Sequence, residues 1–128
     1  MDAIAKSVES SAAEAVVQKQ LDAYNARDIE TFMACWAEEA RIYEFPNRLL
    51  ADGAAEIRAR HMVRFQEPDL FGHLVSRMSV GNRVIDREVV TRNFPEGKGR
   101  IDVIGIYELA GKKIAQAWFI MGSPVLEG

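Results

Sequence analysis

Cysteine is almost missing from this chain. Cys35 is the only one in 128 residues, so no internal disulfide can form and nothing calls for an oxidising compartment. An excess of one charge is missing too. Sixteen Lys and Arg stand against 19 Asp and Glu, and the resulting −3 exerts no long-range pull on a phosphate backbone, which argues against general nucleic-acid binding. No apolar run approaches the roughly 18 residues of a membrane span. The opening Met1–Lys6 lacks the basic and apolar regions of a signal peptide. These absences predict a cytoplasmic protein with no membrane or nucleic-acid partner. Cofactor motifs are absent as well. His61 and His73 have no cysteine cluster near them, and Gly97-Lys98-Gly99 lacks the spacing of a phosphate-binding loop. No metal and no cofactor is expected.

What the chain does have is apolar material, 48% of its residues, and a length that fits one domain over 1–128 with a core over about 11–122. A domain of this size buries about two-thirds of the surface its unfolded chain exposes. From Ser11 to about Gln66 the apolar residues recur mostly in helical period. Ser11-Ala12-Ala13-Glu14 fits a capping box, followed by a stripe of Ala13, Val17, Leu21 and Tyr24. Asp28 is placed to cap a second helix with the stripe Ile29, Phe32, Met33 and Trp36. Ala40–Phe45 reads as a short strand stopped by Pro46, with Pro46 to Leu50 as loop. Asp52-Gly53 opens a third helix, with Ile57, His61 and Phe65 on one face and Glu56 set to pair with Arg60.

After Gly72 the period changes to two. His73–Val80 and Arg83–Arg92 flank the two-residue turn Gly81-Asn82, then a loop over Asn93–Gly99 precedes Ile101–Leu109 and Lys113–Met121. Helices followed by an antiparallel meander predict an α+β fold with helices on one face of the sheet. In the last two strands both faces are apolar. Ile101, Val103 and Tyr107 oppose Ile104 and Ile106, while Ile114, Trp118 and Ile120 oppose Ala115, Ala117, Phe119 and Met121. A one-sided sheet would alternate. The second face is therefore expected to meet another copy of the chain, giving a homodimer through the sheet.

Asp28-Ile29-Glu30, Trp36-Ala37-Glu38-Glu39-Ala40 and Gly111-Lys112-Lys113-Ile114, taken in order, resemble the ketosteroid isomerase and SnoaL-like family of the nuclear transport factor 2-like superfamily. The resemblance runs from about Ala13 to Met121 and implies a curved antiparallel sheet wrapped around three helices, a cone enclosing a pocket. That fold hosts many activities. By position, the resemblance assigns the isomerases' catalytic base to Glu44 and their oxyanion donors, a Tyr and a neutral Asp, to Gln20 and Gly105. Gln20 is a weak donor and Gly105 none, so steroid isomerisation by the family mechanism is not expected. Tyr24 or Tyr107 stand near those positions as substitutes.

His61 faces inward with Ile57 and would complete an acid–base pair with Glu44 if it reached the pocket. Asp86 and Glu88 share one face of Val84–Val90, with Arg87 on the other. Sequence does not choose the face. If the acidic one lines the cone, Arg77 on the neighbouring strand can neutralise one carboxylate and leave the other as an acid of raised pKa. If it faces water, the charges form a ladder of exposed pairs worth ~0.5 kcal/mol each. By residue type, though not by aligned position, an Arg–Asp pair with a further acid resembles the epoxide-hydrolysing branch of the superfamily. Arg58, Arg60 and Arg64 read as a solvated flank, Cys35 as a small buried hydrophobe, and Trp36, Phe45, Val103, Tyr107, Trp118 and Phe119 as core or pocket wall. Two functions fit. One is a cofactor-independent isomerase, dehydratase or hydrolase acting on a small apolar molecule, with Glu44 as base. The other is a domain that binds such a molecule without chemistry.

Overall fold

The first helix, α1 (Val8–Ala26), begins a turn earlier than the capping box predicts. Ser7 is its cap, with the hydroxyl accepting from the Ser10 N–H at 3.0 Å. Glu14 is thereby free for other partners, accepting from Lys6 Nζ at 2.8 Å and from the Ser79 hydroxyl. The computed structural model describes residues 6–128, so the leader reading of Met1–Ala5 lies outside the described residues. Ala13, Val17, Gln20 and Leu21 form the buried stripe of α1. Its chain reverses at Arg27, in the left-handed region at φ 55°. The Arg27 guanidinium reaches the carbonyls of Glu67 and Pro68 at 2.7 and 2.8 Å, tying this corner to a distant loop.

Asp28 caps α2 (Ile29–Ala34) as predicted, accepting from the Thr31 N–H at 3.1 Å. The helix stops short of Trp36, which instead opens β1 (Trp36–Glu44). Long-range pairing overrides the local period here, because Trp36 lies opposite Ile114 in the sheet. The stretch expected as loop after Pro46 contains β2 (Arg48–Asp52), folded back so that Arg41 faces Asp52 and Glu44 faces Arg48. α3 (Ala54–Arg64) buries Ile57 and His61. Glu56 is not paired with Arg60; its carboxylate accepts the Asp52 N–H at 2.8 Å and closes the start of the helix. No helix among the described residues is long and apolar enough to cross a membrane.

β3 (Phe71–Val80) and β4 (Arg83–Phe94) form the hairpin around Gly81-Asn82, where Gly81 takes φ 57°. The expected loop after Arg92 is largely strand. Pairing between β4 and β5 (Gly97–Ala110) continues to Phe94 opposite Gly97, leaving a tight turn. β6 (Lys113–Met121) completes the meander, and β7 (Val125–Leu126) adds to the outer end of β5. The sheet order is β2-β1-β6-β5-β4-β3. It is curved around the helices and largely antiparallel, but β1 and β6 run parallel, so the sheet is mixed rather than the antiparallel one expected.

A register shift between Glu108 and Leu109 changes which residues of β6 face inward. Ile114 is buried with Ala117 on the helix side, not grouped with Trp118 and Ile120 as strict alternation predicts. Trp118 lies opposite Ile106 and stacks on Tyr43 at 5.8 Å on the other face. Phe45, expected in the core or pocket wall, is 51% exposed.

The seam between α1 and β3 is made by Asn25, whose amide donates to the Gly72 carbonyl at 3.0 Å and accepts the Gly72 N–H at 2.7 Å. Gly72 is buried, so losing this clamp leaves two backbone groups with no partner. Asn25→Ala is expected to lower the unfolding free energy by about 1–3 kcal/mol in urea titrations. No change would mean that water replaces the amide at little cost.

Candidate functional site

The concave side of the sheet and helices α1 and α3 enclose a cavity of about 90 Å³. Gln20, Leu21 and Tyr24 line it from α1, Trp36 and Ile42 from β1, and His61 with Arg60 and Arg64 from α3. Glu88, Val90 and Arg92 face it from β4, while Val103, Tyr107 and Phe119 close the sheet side. The wall is largely apolar, which makes its few polar groups informative.

The structure chooses the face of β4 that the sequence leaves open. Val84, Asp86, Glu88 and Val90 are buried, so the acidic face turns inward. Asp86 has no exposed surface, and Arg77 stands directly opposite it on β3. Two parallel contacts join them, Nε to Oδ1 at 2.6 Å and Nη2 to Oδ2 at 2.8 Å, while Nη1 donates to Gln18 Oε1 at 2.8 Å. This bidentate fork supplies the counter-charge that a buried carboxylate needs.

Glu88, one pleat further along, has no ion-pair partner among the described residues and is 7% exposed. Its Oε1 rests against the bare Cα of Gly72, where a Cβ would come within 2.7 Å. Burial pushes its pKa up to about 7, the negative charge of Asp86 adds to the rise, and Arg77 opposes it. The group therefore exchanges a proton near neutrality.

His61 is buried in the cavity wall on the α3 side. Its Nδ1 lies 2.8 Å from the Ile57 carbonyl, an acceptor, so Nδ1 carries the hydrogen and Nε2 is the basic atom. Burial holds its pKa down at about 4, so the ring is neutral at pH 7, packed on Phe32 at 4.5 Å. Tyr24 and Tyr107 are both held above the ordinary phenol range by burial, so each hydroxyl remains a donor. The indole N–H of Trp36 is buried with no hydrogen-bond partner among the described residues.

The cavity rim is basic. Arg92 forks onto Glu67 with two contacts of 2.8 Å, and Arg64 approaches the same carboxylate at 3.7 Å. Arg60 has no ion-pair partner among the described residues. Burial and the neighbouring charges of Arg64 and Arg92 all lower its pKa. The solvated flank expected of Arg58, Arg60 and Arg64 thus holds for Arg58 alone, which pairs with Glu30 at the surface.

Two further sequence expectations fail on position. Glu44 lies at the far end of β1 and is not among the residues that line the cavity, its carboxylate 38% exposed and paired with Arg48 Nη1 at 2.9 Å. Strand β2 folds back there and supplies it with an exposed arginine as its partner. Gly105 does not line the space either. Tyr107 and Phe119 fold over it, and a Cβ there would meet their rings at 3.0 and 3.1 Å. Arg77 stands behind the wall on Asp86 rather than in it. Gln20, Tyr24, Trp36, His61, Glu88, Val103, Tyr107 and Phe119 do come together around the cavity. The residues missed were Arg60, Arg64 and Arg92. Their signals were present: Arg60 and Arg64 fall three and seven places after Ile57, and Arg92 shares the parity of Glu88.

The SnoaL-like domain family matches the chain over residues 17–117. The chain belongs to that family. Solved structures show the same fold at low sequence identity. A cystatin-fold protein of uncharacterised function from Novosphingobium aromaticivorans is 24% identical, with a TM-score of 0.78 over 85% of this chain and 97% of the other. A candidate ketosteroid isomerase from Kribbella flavida is 16% identical, with a TM-score of 0.77 over 94% and 84%. A candidate SnoaL-like polyketide cyclase from a Jannaschia species is 14% identical, with a TM-score of 0.80 over 93% and 91%. No curated protein sequence matches this one. For a SnoaL-like domain, a cavity between the helices and the concave sheet is where small-molecule binding or catalysis fits.

Glu88 makes the stability of this SnoaL-like domain depend on pH. It keeps its proton to about pH 7 when folded and loses it near 4.5 when unfolded, so its contribution falls as pH rises across that interval. Glu88→Gln abolishes that fall. Its stability relative to wild type is expected to be up to about 3 kcal/mol greater at about pH 8 than at about pH 4, read from urea midpoints. A difference independent of pH would mean that the carboxylate is solvated in the fold.

Proposed function

We propose that the cavity is the active site of a cofactor-independent enzyme that moves a proton on a small, largely apolar carbonyl compound, with Glu88 as the acid–base group. The observation that carries this reading is Glu88 itself, a cavity-facing carboxylate without an ion-pair partner among the described residues and with a pKa raised to about 7. A general base works best when its pKa lies near the operating pH. In its ionised form Glu88 removes a proton from the carbon beside the carbonyl, and the electron pair left behind passes to the carbonyl oxygen. The phenol of Tyr107 or Tyr24 donates a hydrogen bond to that oxygen as its charge develops, since burial keeps both hydroxyls protonated. Glu88 then returns the proton to a different carbon, which is isomerisation, or to a departing hydroxyl, which is dehydration. Neutral His61 offers Nε2 as a second acceptor.

Binding without chemistry is the second reading. It is favoured by Gly105, which brings no side-chain donor to the position that the isomerase resemblance assigns to a neutral acid. The two readings separate in heavy water. Wild type is expected to exchange the methyl protons of acetophenone for deuterium, followed by NMR, and Glu88→Gln to do so about 10²–10⁴-fold more slowly while still binding the ketone. Equal exchange by both forms, or a Glu88 carboxyl titrating near 4.3 by carbon NMR, would leave only the binding reading.

A homodimer through the sheet is the proposal for the opposite face. Tyr43, Ile85, Ile104, Ile106 and Trp118 form a half-buried apolar surface there, with Ile120 41% exposed. A second copy is the proposed cover. Buried, unpaired Cys35 suits a reducing compartment such as the cytoplasm. Sedimentation is expected to give a dimer that Ile106→Lys converts to monomer, and a wild-type monomer at high concentration would refute the interface.

A further inference from the structure

A half-buried guanidinium without a counter-ion is costly unless something negative visits it. Arg60 is in that state at the cavity rim, among charges of its own sign. Arg64 and Arg92 lie close enough to depress its pKa, and no carboxylate contributes in the opposite direction. Glu67 is the carboxylate of this corner, and it is already engaged by Arg92 at 2.8 Å and by Arg64 at 3.7 Å, with the Asn93 N–H also donating to it at 2.8 Å. Arg58, on the same helix, shows the ordinary outcome, a surface pair with Glu30. Arg60 instead points its charge toward the space that its neighbours enclose.

We propose that the ligand of this cavity carries a carboxylate, seated on Arg60 at the rim, with its apolar body lying inward toward Glu88. This rests on the cavity being a ligand site, as in the reading above, and adds the ligand's charge and orientation. One free guanidinium matches one planar monoanion through two parallel N–H···O bonds. A phosphate dianion would call on Arg64 and Arg92 as well, and both are engaged by Glu67. Behind the rim Leu21, Ile42, Val90 and Phe119 offer only apolar contact, which suits an aryl or alkyl body. Glu88 lies on the inner wall, so a compound anchored at Arg60 presents its far carbons, not its carboxylate, to the proton-exchanging group.

The test compares acids with their isosteric amides, which differ in charge and hardly in shape. Benzoate and benzamide, phenylacetate and phenylacetamide, and 3-phenylpropionate and 3-phenylpropionamide would be titrated against the full chain by NMR. At least one acid is expected to bind tenfold or more tightly than its amide. Arg60→Gln should erase that preference, Arg60→Lys should restore part of it, and Arg58→Gln should leave it intact. Glu88→Gln should also keep the preference, so a failure of the proton-transfer reading does not imitate a failure here. Amides binding as well as acids, or a preference that survives Arg60→Gln, would overturn the carboxylate seat alone. If no member of either series binds, the ligand-site reading falls together with it.

Discussion

The arrangement depends on one buried ion pair. Asp86, without exposed surface, is tolerable inside a sheet only because Arg77 forks onto both of its oxygens. The two residues meet because the turn at Gly81-Asn82 fixes the register of β3 on β4 and places them directly opposite. A slip of one residue would turn every side chain of β4 to the other face. The pair then sets the field felt one pleat along the strand. Asp86 pushes the proton onto Glu88, Arg77 pulls it off, and burial decides the balance in favour of the neutral acid. A tight turn, a register, an ion pair and a proton-holding carboxylate form one causal sequence.

Two buried groups in the same wall titrate in opposite senses. Glu88 makes the fold less stable as pH rises between about 4.5 and about 7, since the unfolded chain releases the proton first. His61 makes it more stable between about 4 and about 6.5, since the unfolded chain binds the proton that the buried ring refuses. Where the intervals overlap, the slopes oppose and largely cancel. Across that overlap the two penalties add to a nearly constant cost, so stability there changes little with pH although both residues lower it. The same burial that gives Glu88 a useful proton affinity strips His61 of its own, so near pH 7 one site contains a carboxyl that is about half protonated and an imidazole that is neutral.

Much of the fold was legible in the sequence, and the exceptions have physical causes. Asp28 announced α2 and Gly81-Asn82 announced the hairpin, because both act through local backbone groups. Trp36, Leu49 and Ile114 were misplaced, because strand pairing and a bulge decided their positions and neither leaves a local mark. The site divides the same way. Alternation along β4 showed that Asp86 and Glu88 share a face and that Arg77 could neutralise one of them, but only the curvature of the sheet around α1 made that face the inner one. Glu44 looked suitable from its position along the chain. The return of β2 gave it Arg48 as its partner, at the exposed end of the strand. Arginine is usually solvated, yet the spacing of Arg60 and Arg64 from Ile57 puts both on the inward side of the helix.

Glu67 explains how a basic rim and a protonated acid coexist in so small a space. Arg92 lies on the same face of β4 as Glu88, and an unmatched guanidinium there would draw the proton off the carboxyl. Yet Arg77 is the cation that lowers the Glu88 pKa. Arg92 is clamped at 2.8 Å to both oxygens of Glu67, so its charge is partly offset by a carboxylate of its own. Burial by itself would raise the Glu67 pKa, but the hydrogen bond from Arg92 and the Asn93 N–H hold it down, so the clamp stays charged and closed. Arg27 fastens the backbone carbonyl of the same residue at 2.7 Å, fixing the clamp to the end of α1. By engaging Arg92 and Arg64 together, Glu67 leaves Arg60 as the rim arginine without an ion-pair partner among the described residues, at a distance along the wall from the proton-exchanging Glu88.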